Sequence, residues 1–218
     1  MKQGKAVPNN DVTPQLFKSK LIDKLARTHI AIPVSMFFLY AAGLIYYTKV
    51  ATDLSNLQVV SLFFAGWLFF TFVEYMVHKY AYHAKLDANE QQKKISYIMH
   101  GAHHDYPKDK QRLALPPLLS VVIGTLLLLI FELVLDIYSF SVLAGFMTGY
   151  AFYLLVHYAV HIFRPPNNFL KALWSNHAIH HYYSESLMYG VSSPLWDYIL
   201  GTYPRRNQKR DVEVKIEG

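Results

Sequence analysis

Four long stretches of this chain carry no charge, and that property alone removes most of the ways 218 residues could fold. No Asp, Glu, Lys or Arg stands between His29 and Lys49, between Asp53 and Glu74, between Arg112 and Glu132, or between Asp136 and Arg164. Each stretch is close to the roughly 20 residues that a helix needs to cross the hydrocarbon core of a bilayer. A soluble helix would instead alternate an apolar stripe with a charged face. The sequence therefore predicts an all-α integral membrane protein with about four transmembrane helices, over residues 30–47, 57–77, 117–136 and 140–158. The first 28 residues are polar and basic and the first apolar run is too long for a signal core, so no cleaved secretory signal is expected.

Charge fixes the orientation. Six Lys/Arg precede the first run, one follows it, seven lie between the second and third, none between the third and fourth, and seven follow the fourth. By the positive-inside rule the N-terminus, the middle segment and the C-terminus face the cytosol. The net charge of +6 is thereby explained, and with no aromatic–basic RNA motif no nucleic-acid partner is expected. Residues 1–28 read as a cytosolic amphipathic arm. Pro8 and Pro14 favour extended chain, while Phe17, Leu21, Ile22 and Leu25 recur at helical spacing among Lys18, Lys20, Lys24 and Arg27, as in a helix lying on the inner leaflet. Residues 204–218 read as a basic tail.

The chain has no cysteine. That excludes disulfides, thiolate ligands, iron–sulfur clusters and c-type haem attachment. It has eleven histidines, and ten fall into four boxes at the cytosolic ends of the spans: His78 with His83; His100, His103 and His104; His157 with His161; and His177, His180 and His181. His29 stands apart at the start of the first span and reads as an interfacial side chain. Neutral imidazole is a good ligand for zinc, iron, copper or nickel. Ten are too many for one ion and suit two held close together, so a cytosolic helical cap holding a histidine-rich dinuclear metal site is expected. On a regular helix i, i+3 and i+4 share a face, which places His100, His103 and His104 together and His157 beside His161. His78 and His83 lie ~140° apart on an ideal helix. Either the helix ends or distorts there so that both serve one centre, or the two serve different metals. Glu74, an acid at the membrane edge, is expected to orient a ligand imidazole. Asp105, Asn176, Tyr182 and Asp197 are weaker candidates for the same supporting shell.

The boxes HX4H, HX2HH, HX3H and HX2HH resemble those of the membrane fatty acid hydroxylase superfamily. HGAHHDYPKDKQRLALPP is the most specific part, and it is more similar to the fatty acid 2-hydroxylases, which act on the acyl chain of sphingolipids, than to the sterol desaturases. SPLWDYILGT resembles the segment that follows the last box in that group. The likeness covers about residues 57–203, and each of the ten histidines has a counterpart. It implies a membrane hydroxylase domain over residues 29–203, two iron ions as cofactor (with zinc able to take their place in purified protein), O2 as co-substrate, and hydroxylation at C2 of a membrane lipid's acyl chain. The headgroup would sit near Arg112, Lys108 and the C-terminal basic residues. Some members carry a fused cytochrome b5 domain; this chain has no HPGG motif for one, so electrons are expected from a separate donor such as cytochrome b5 or ferredoxin. A bacterial inner membrane is the expected location, or the endoplasmic reticulum in a eukaryote. On the same scaffold the rivals are a desaturase and a sterol or carotenoid oxidase. A metal transporter would place polar ligands near the bilayer midplane, where this sequence is apolar. A non-catalytic metal-binding membrane protein would keep the metal and yield no oxygen-dependent product.

Overall fold

The computed structural model describes residues 13–83 and 88–205. Pro8, the first part of the expected arm and most of the expected basic tail lie outside the described residues. Within them the chain is helical throughout, with no strand. Four helices are long: α2 (Ala31–Ala51), α3 (Asn56–Val77), α6 (Pro117–Leu135) and α7 (Ser139–Ile162). The short ones are α1 (Lys20–Leu25), α4 (Glu90–Ser96), α5 (Ala102–Asp105), α8 (Lys171–Ala178) and α9 (Leu195–Ile199).

Measured as unbroken helical stretches, three are long and apolar enough to cross a membrane: Ala31–Ala51, Asn56–Tyr82 and Pro117–Ile162. The third spans 46 residues, twice what one crossing needs. It reverses at a 3₁₀ turn, Asp136–Tyr138, that begins with Asp136 at φ 49°. Phe131 meets Phe146 with ring centroids 5.8 Å apart, and a Cβ on Gly124 would lie 3.9 Å from Met147 Cε. Residues at similar distances either side of the turn therefore face each other, as in an antiparallel helical hairpin, and α6 and α7, with 19 and 24 residues, are each long enough for a crossing.

The chain divides into two compact units, and the division falls inside α3 and α7. One holds residues 13–72 and 109–158. Its helices are built inside out relative to a soluble bundle. α6 buries Ser120, Gly124 and Phe131 while exposing Leu118, Leu133 and Val134, because lipid is as good a solvent for leucine as another helix is. Backbone approach between α3 and α7 rests on two glycines: a Cβ on Gly66 would lie 1.9 Å from the Val142 carbonyl oxygen, and one on Gly145 would lie 1.8 Å from that of Phe63. Between α2 and α7 the tie is polar. Ser141 Oγ donates to Thr48 Oγ1 (3.2 Å), which donates in turn to the Leu44 carbonyl (2.9 Å), all out of water.

The described part of the arm, from Thr13 on, belongs to this unit, and its helix is shorter than the sequence pattern suggested. α1 has six residues, started by Ser19, whose Oγ accepts from Ile22 N. It buries Asp23 and exposes Leu21, Ile22 and Leu25. Asp23 Oδ1 accepts from Leu16 N (2.8 Å), Phe17 N (3.2 Å) and Arg112 (2.8 Å), while Oδ2 accepts from Arg27 Nε (3.1 Å). Arg112, expected from sequence to meet a lipid headgroup, is thus engaged in an ion pair with buried Asp23 and also donates to the Pro14 carbonyl at 3.0 Å.

The other unit takes in residues 73–108 and 159–205 of the described chain. Its helices are short and broken by three π-helical turns, His78–Tyr82, Tyr97–Gly101 and Ile179–Tyr183. All three carry histidines from the boxes. Single π turns inside α-helices concentrate at functional sites because the extra residue re-aims the side chains.

Candidate metal centre

The ten box histidines gather into two groups of five. His78, His83, His100, His104 and His180 form one; His103, His157, His161, His177 and His181 form the other. Within each group one ring nitrogen per residue lies within 4.8 Å of all the others. His29 is in neither group; it is exposed, and its Nδ1 accepts from Ala31 N.

The grouping differs from the one-face expectation for each triad. His100 and His104 join the first group while His103, between them, joins the second. In the later triad His177 and His181 join the second group and His180 joins the first. The middle histidine of each HX2HH box is exchanged. On a helix i and i+4 lie ~40° apart while i+3 falls ~60° to the other side, and each box also straddles a change between α and π geometry, at Tyr97–Gly101 and at Ile179–Tyr183. The same device resolves His78 and His83. The helix widens into a π turn over His78–Tyr82, and His83 then leaves it in extended conformation (φ −96°, ψ 116°), which brings both rings into one group. His157 and His161 need no distortion, standing one turn apart on α7. The two groups share a wall, where the His104 and His181 rings stack with centroids 4.1 Å apart.

The nitrogens converge Nε2 to Nε2: His78 to His100 at 3.0 Å, His100 to His104 at 2.9 Å, His83 to His180 at 3.2 Å, and His161 to His177 at 2.7 Å. Metal–nitrogen bonds of about 2.1 Å at right angles set neighbouring ligand atoms about 3.0 Å apart. Hydrogen bonding alone does not account for the arrangement. His78 Nδ1 lies 2.6 Å from the Tyr189 carbonyl oxygen and His180 Nδ1 lies 2.8 Å from that of Leu187. A carbonyl only accepts, so both rings carry their proton on Nδ1 and point the Nε2 lone pair inward, which is the ligand tautomer. Both ring nitrogens of His181 are buried with no hydrogen bond among the described residues, a cost of roughly 1–3 kcal/mol per group unless something else binds it. Burial, then the charge of His104, holds His180 down at about 3. Burial and neighbouring imidazoles likewise hold His100 and His181 well below the ordinary histidine value. At neutral pH these rings are unprotonated, as ligands must be. The donor set fits two metal ions.

Both Nδ1 acceptors come from one segment, Leu187–Ser192, which sequence reasoning did not single out. Met188 sits between the two carbonyls at φ 56°, an uncommon conformation for a side-chain-bearing residue, with its own side chain buried against Ile179. Two buried carboxylates grip this strap. Asp197 accepts from Tyr189 N (2.8 Å), Gly190 N (2.8 Å) and Thr202 Oγ1 (2.7 Å). Its burial raises its pKa despite those bonds. Glu74 accepts from Val191 N (2.6 Å), Ser192 N (2.9 Å) and the Ser192 hydroxyl. Glu74 therefore reaches His78 through the strap. Of the other candidates, Asp105 accepts from Tyr97 Oη at 3.2 Å and Asn176 is buried in α8 beside His177. Tyr182 is half-exposed on a cleft of about 220 Å³ that also reaches His161, His177 and His181. Glu185, not foreseen, places a carboxylate oxygen 3.7 Å from His83 Nδ1.

Fold and site together define a class: an all-helical membrane protein with two adjacent five-histidine groups suited to a pair of metal ions. Comparison with known sequences narrows it, and the chain belongs to the fatty acid hydroxylase family, whose model matches residues 63–202. It is 35% identical over 164 residues to the ceramide very long chain fatty acid hydroxylase scs7 of Schizosaccharomyces pombe, covering 72% of this chain and 47% of that one. It is 32% identical over 146 residues to the fatty acid 2-hydroxylase of Mus musculus, covering 66% and 39%. To the dihydroceramide fatty acyl 2-hydroxylase FAH2 of Arabidopsis thaliana it is 30% identical over 196 residues, covering 88% and 80%. The chain thus spans less than half of the yeast and mouse relatives. Among solved structures it is similar to full-length scs7p, of which only the hydroxylase domain is visible, with TM-score 0.75 and 29% identity over 87% of this chain and 71% of that one.

Proposed function

We propose that this protein is a membrane-bound fatty acid 2-hydroxylase acting on the acyl chain of a ceramide-like lipid. The observation that carries the reading is the pair of adjacent five-histidine groups, in a chain whose relatives bear the names of ceramide and fatty acyl hydroxylases. His78, His83, His100, His104 and His180 would hold one ion; His103, His157, His161, His177 and His181 would hold the other. Two iron ions bound there would supply the activation of O2 and the oxidation of an unactivated C–H bond. Overall, one oxygen atom enters the C2–H bond and the other leaves as water, with two electrons and two protons supplied from outside. The electrons would come from a separate donor such as cytochrome b5 or ferredoxin.

The chain's own part is to present neutral imidazoles in a fixed tautomer, to keep the ions adjacent, and to shield them. The strap does the first for His78 and His180. The stacked rings of His104 and His181 do the second. Burial of His78, His100, His157, His177 and His180 does the third. The charge asymmetry of the sequence supports a cytosolic position for the termini and the metal-binding segments, at the inner membrane in a bacterium or the endoplasmic reticulum in a eukaryote. Zinc would fill the same imidazoles in purified protein and leave it folded and inactive.

Lipid mass spectrometry tests the proposal in cells with the gene, without it, and with the His103→Ala/His180→Ala form. The expected result is one added oxygen at C2 of an acyl chain, absent without the gene and in the double variant. Loss of two hydrogens would move the protein to the desaturases. Unchanged lipids with altered zinc or iron uptake would sink the enzyme reading.

A further inference from the structure

A second feature involves none of the ten box histidines. The unit that holds residues 13–72 and 109–158 carries a cavity of about 700 Å³ lined by Gln15, Lys20, Asp23, Lys24, Arg27, Thr28, His29 and Gln111. We propose that it binds the phosphate headgroup of an anionic phospholipid, and so fixes the arm to the membrane surface.

Depth is the first support. Thr28 and His29 end just before α2, a 21-residue apolar helix, and Gln111 stands six residues before α6. Thr28 N donates to the Gln111 carbonyl at 2.9 Å, so the starts of two spans meet at the cavity wall. At about 1.5 Å rise per residue α2 is just long enough for the hydrocarbon core, which leaves Thr28 and His29 at headgroup level.

Charge is the second. Asp23 is the one acid among the lining residues, and it is spent: buried, fully hydrogen-bonded, and paired with Arg27 and Arg112. Its burial acts to raise its pKa, but the bonds from Arg27, Leu16, Phe17 and Arg112 outweigh that and lower it well below the ordinary carboxylate value. Arg112 also faces Asp109 at 3.8 Å. Lys20 and Lys24, a turn apart on α1 and both exposed, enter none of these ion pairs among the described residues. Among the described residues lining it, the wall therefore offers positive charge with no acid left to neutralise it. Lysines at an anionic bilayer surface are each individually favourable.

The third support is the inverted polarity of α1. Leu21, Ile22 and Leu25 are 67%, 52% and 62% exposed while Asp23 is 3% exposed. A helix that turns its leucines outward beside two lysines matches the boundary between acyl chain and headgroup. A free phosphate would satisfy the lysines but leave the leucines in water.

The test is native mass spectrometry of the full chain released from nanodiscs of mixed phosphatidylglycerol and phosphatidylcholine. The wild type should retain phosphatidylglycerol in preference to phosphatidylcholine. The Lys20→Ala/Lys24→Ala form should lose that preference by on the order of 30-fold, the expectation for two surface lysines. Lys93→Ala/Lys94→Ala, which removes two exposed cations from α4, should keep it. Equal retention of the two lipids by the wild type overturns the proposal, as does an unaltered preference in the Lys20/Lys24 form. So does full displacement of phosphatidylglycerol by millimolar inorganic phosphate, which would mark a plain anion site. Metal content, measured in parallel, shows that each variant is folded.

Discussion

The two histidine groups contain the same number of rings, yet the backbone delivers them differently. In the second group His157 and His161 stand one turn apart on α7, a regular helix of 24 residues. In the first, His78 and His83 reach a common point only because the helix widens and then stops. His78 and His180 are further held by two carbonyls of a strap that is itself clamped by Glu74 and Asp197. One group leans on helical register. The other leans on a loop, and a loop stays in place only while its buried donors are satisfied. The contrast teaches where each group is vulnerable: the first through residues that touch no ring, the second chiefly through its ligands.

The largest effect should come from the exchanged ligands. If His103 belongs with the second group and His180 with the first, His100→Ala/His103→Ala strikes both groups although both residues lie in one box. His100→Ala/His180→Ala strikes only the first group although the two lie in different boxes. Metal analysis of purified protein should show both ions lost in the former and one retained in the latter, with activity below detection in both. If the same-box pair loses only one ion, each box serves a single metal and the exchange is wrong.

Next come the clamps. Asp197→Asn turns an amide N–H toward backbone N–H groups that need an acceptor, and Glu74→Gln does the same at Val191 and Ser192. Each strands a buried donor at roughly 1–3 kcal/mol. Support of this kind, one step behind a ligand, typically changes metal affinity by about 10–100-fold. A chelator titration should show one ion leaving that much more readily while the other is unchanged. Equal weakening of both ions would mean that the strap supports the fold generally, and the contrast between the groups would fail. Ser192→Ala removes one of three donors to Glu74 and should reproduce the pattern more weakly, at about 1 kcal/mol of stability.

How much of this could be read from sequence follows from the same contrast. Uncharged runs mark the long helices because hydrocarbon tolerates little else; the last of them stops at Tyr158 by hydropathy, while the helix continues to Ile162 and carries His161 with it. HX3H announces its own geometry, since four residues are one helical turn. HX4H does not, because a π turn leaves no mark in residue types and moves a side chain to another face. Asp197 could be suspected from its place in SPLWDYILGT, and Glu74 from its place at the membrane edge. Their connection to His78 could not, because it runs through main-chain N–H and carbonyl groups that every residue possesses. Arg112 misled for the opposite reason: an arginine near a membrane surface invites a headgroup, and only the fold shows that Asp23 has already claimed it.

The smallest effect should fall on the second group. Trp174, on α8 one turn before His177, donates from its indole to the Phe163 carbonyl at 2.9 Å, tying that helix to the segment just after His161. Trp174→Phe keeps the ring's bulk and removes the bond. The bond is solvent-exposed, so water replaces the lost donor and the net cost should stay near the lower end of about 0.5–1.5 kcal/mol. Retention of the second group's ion against a chelator should change by less than about threefold, and the first group's should not change. A tenfold loss from the second group would show that it too hangs on a polar tie outside its ligands, and helical register would no longer explain why it needs no strap.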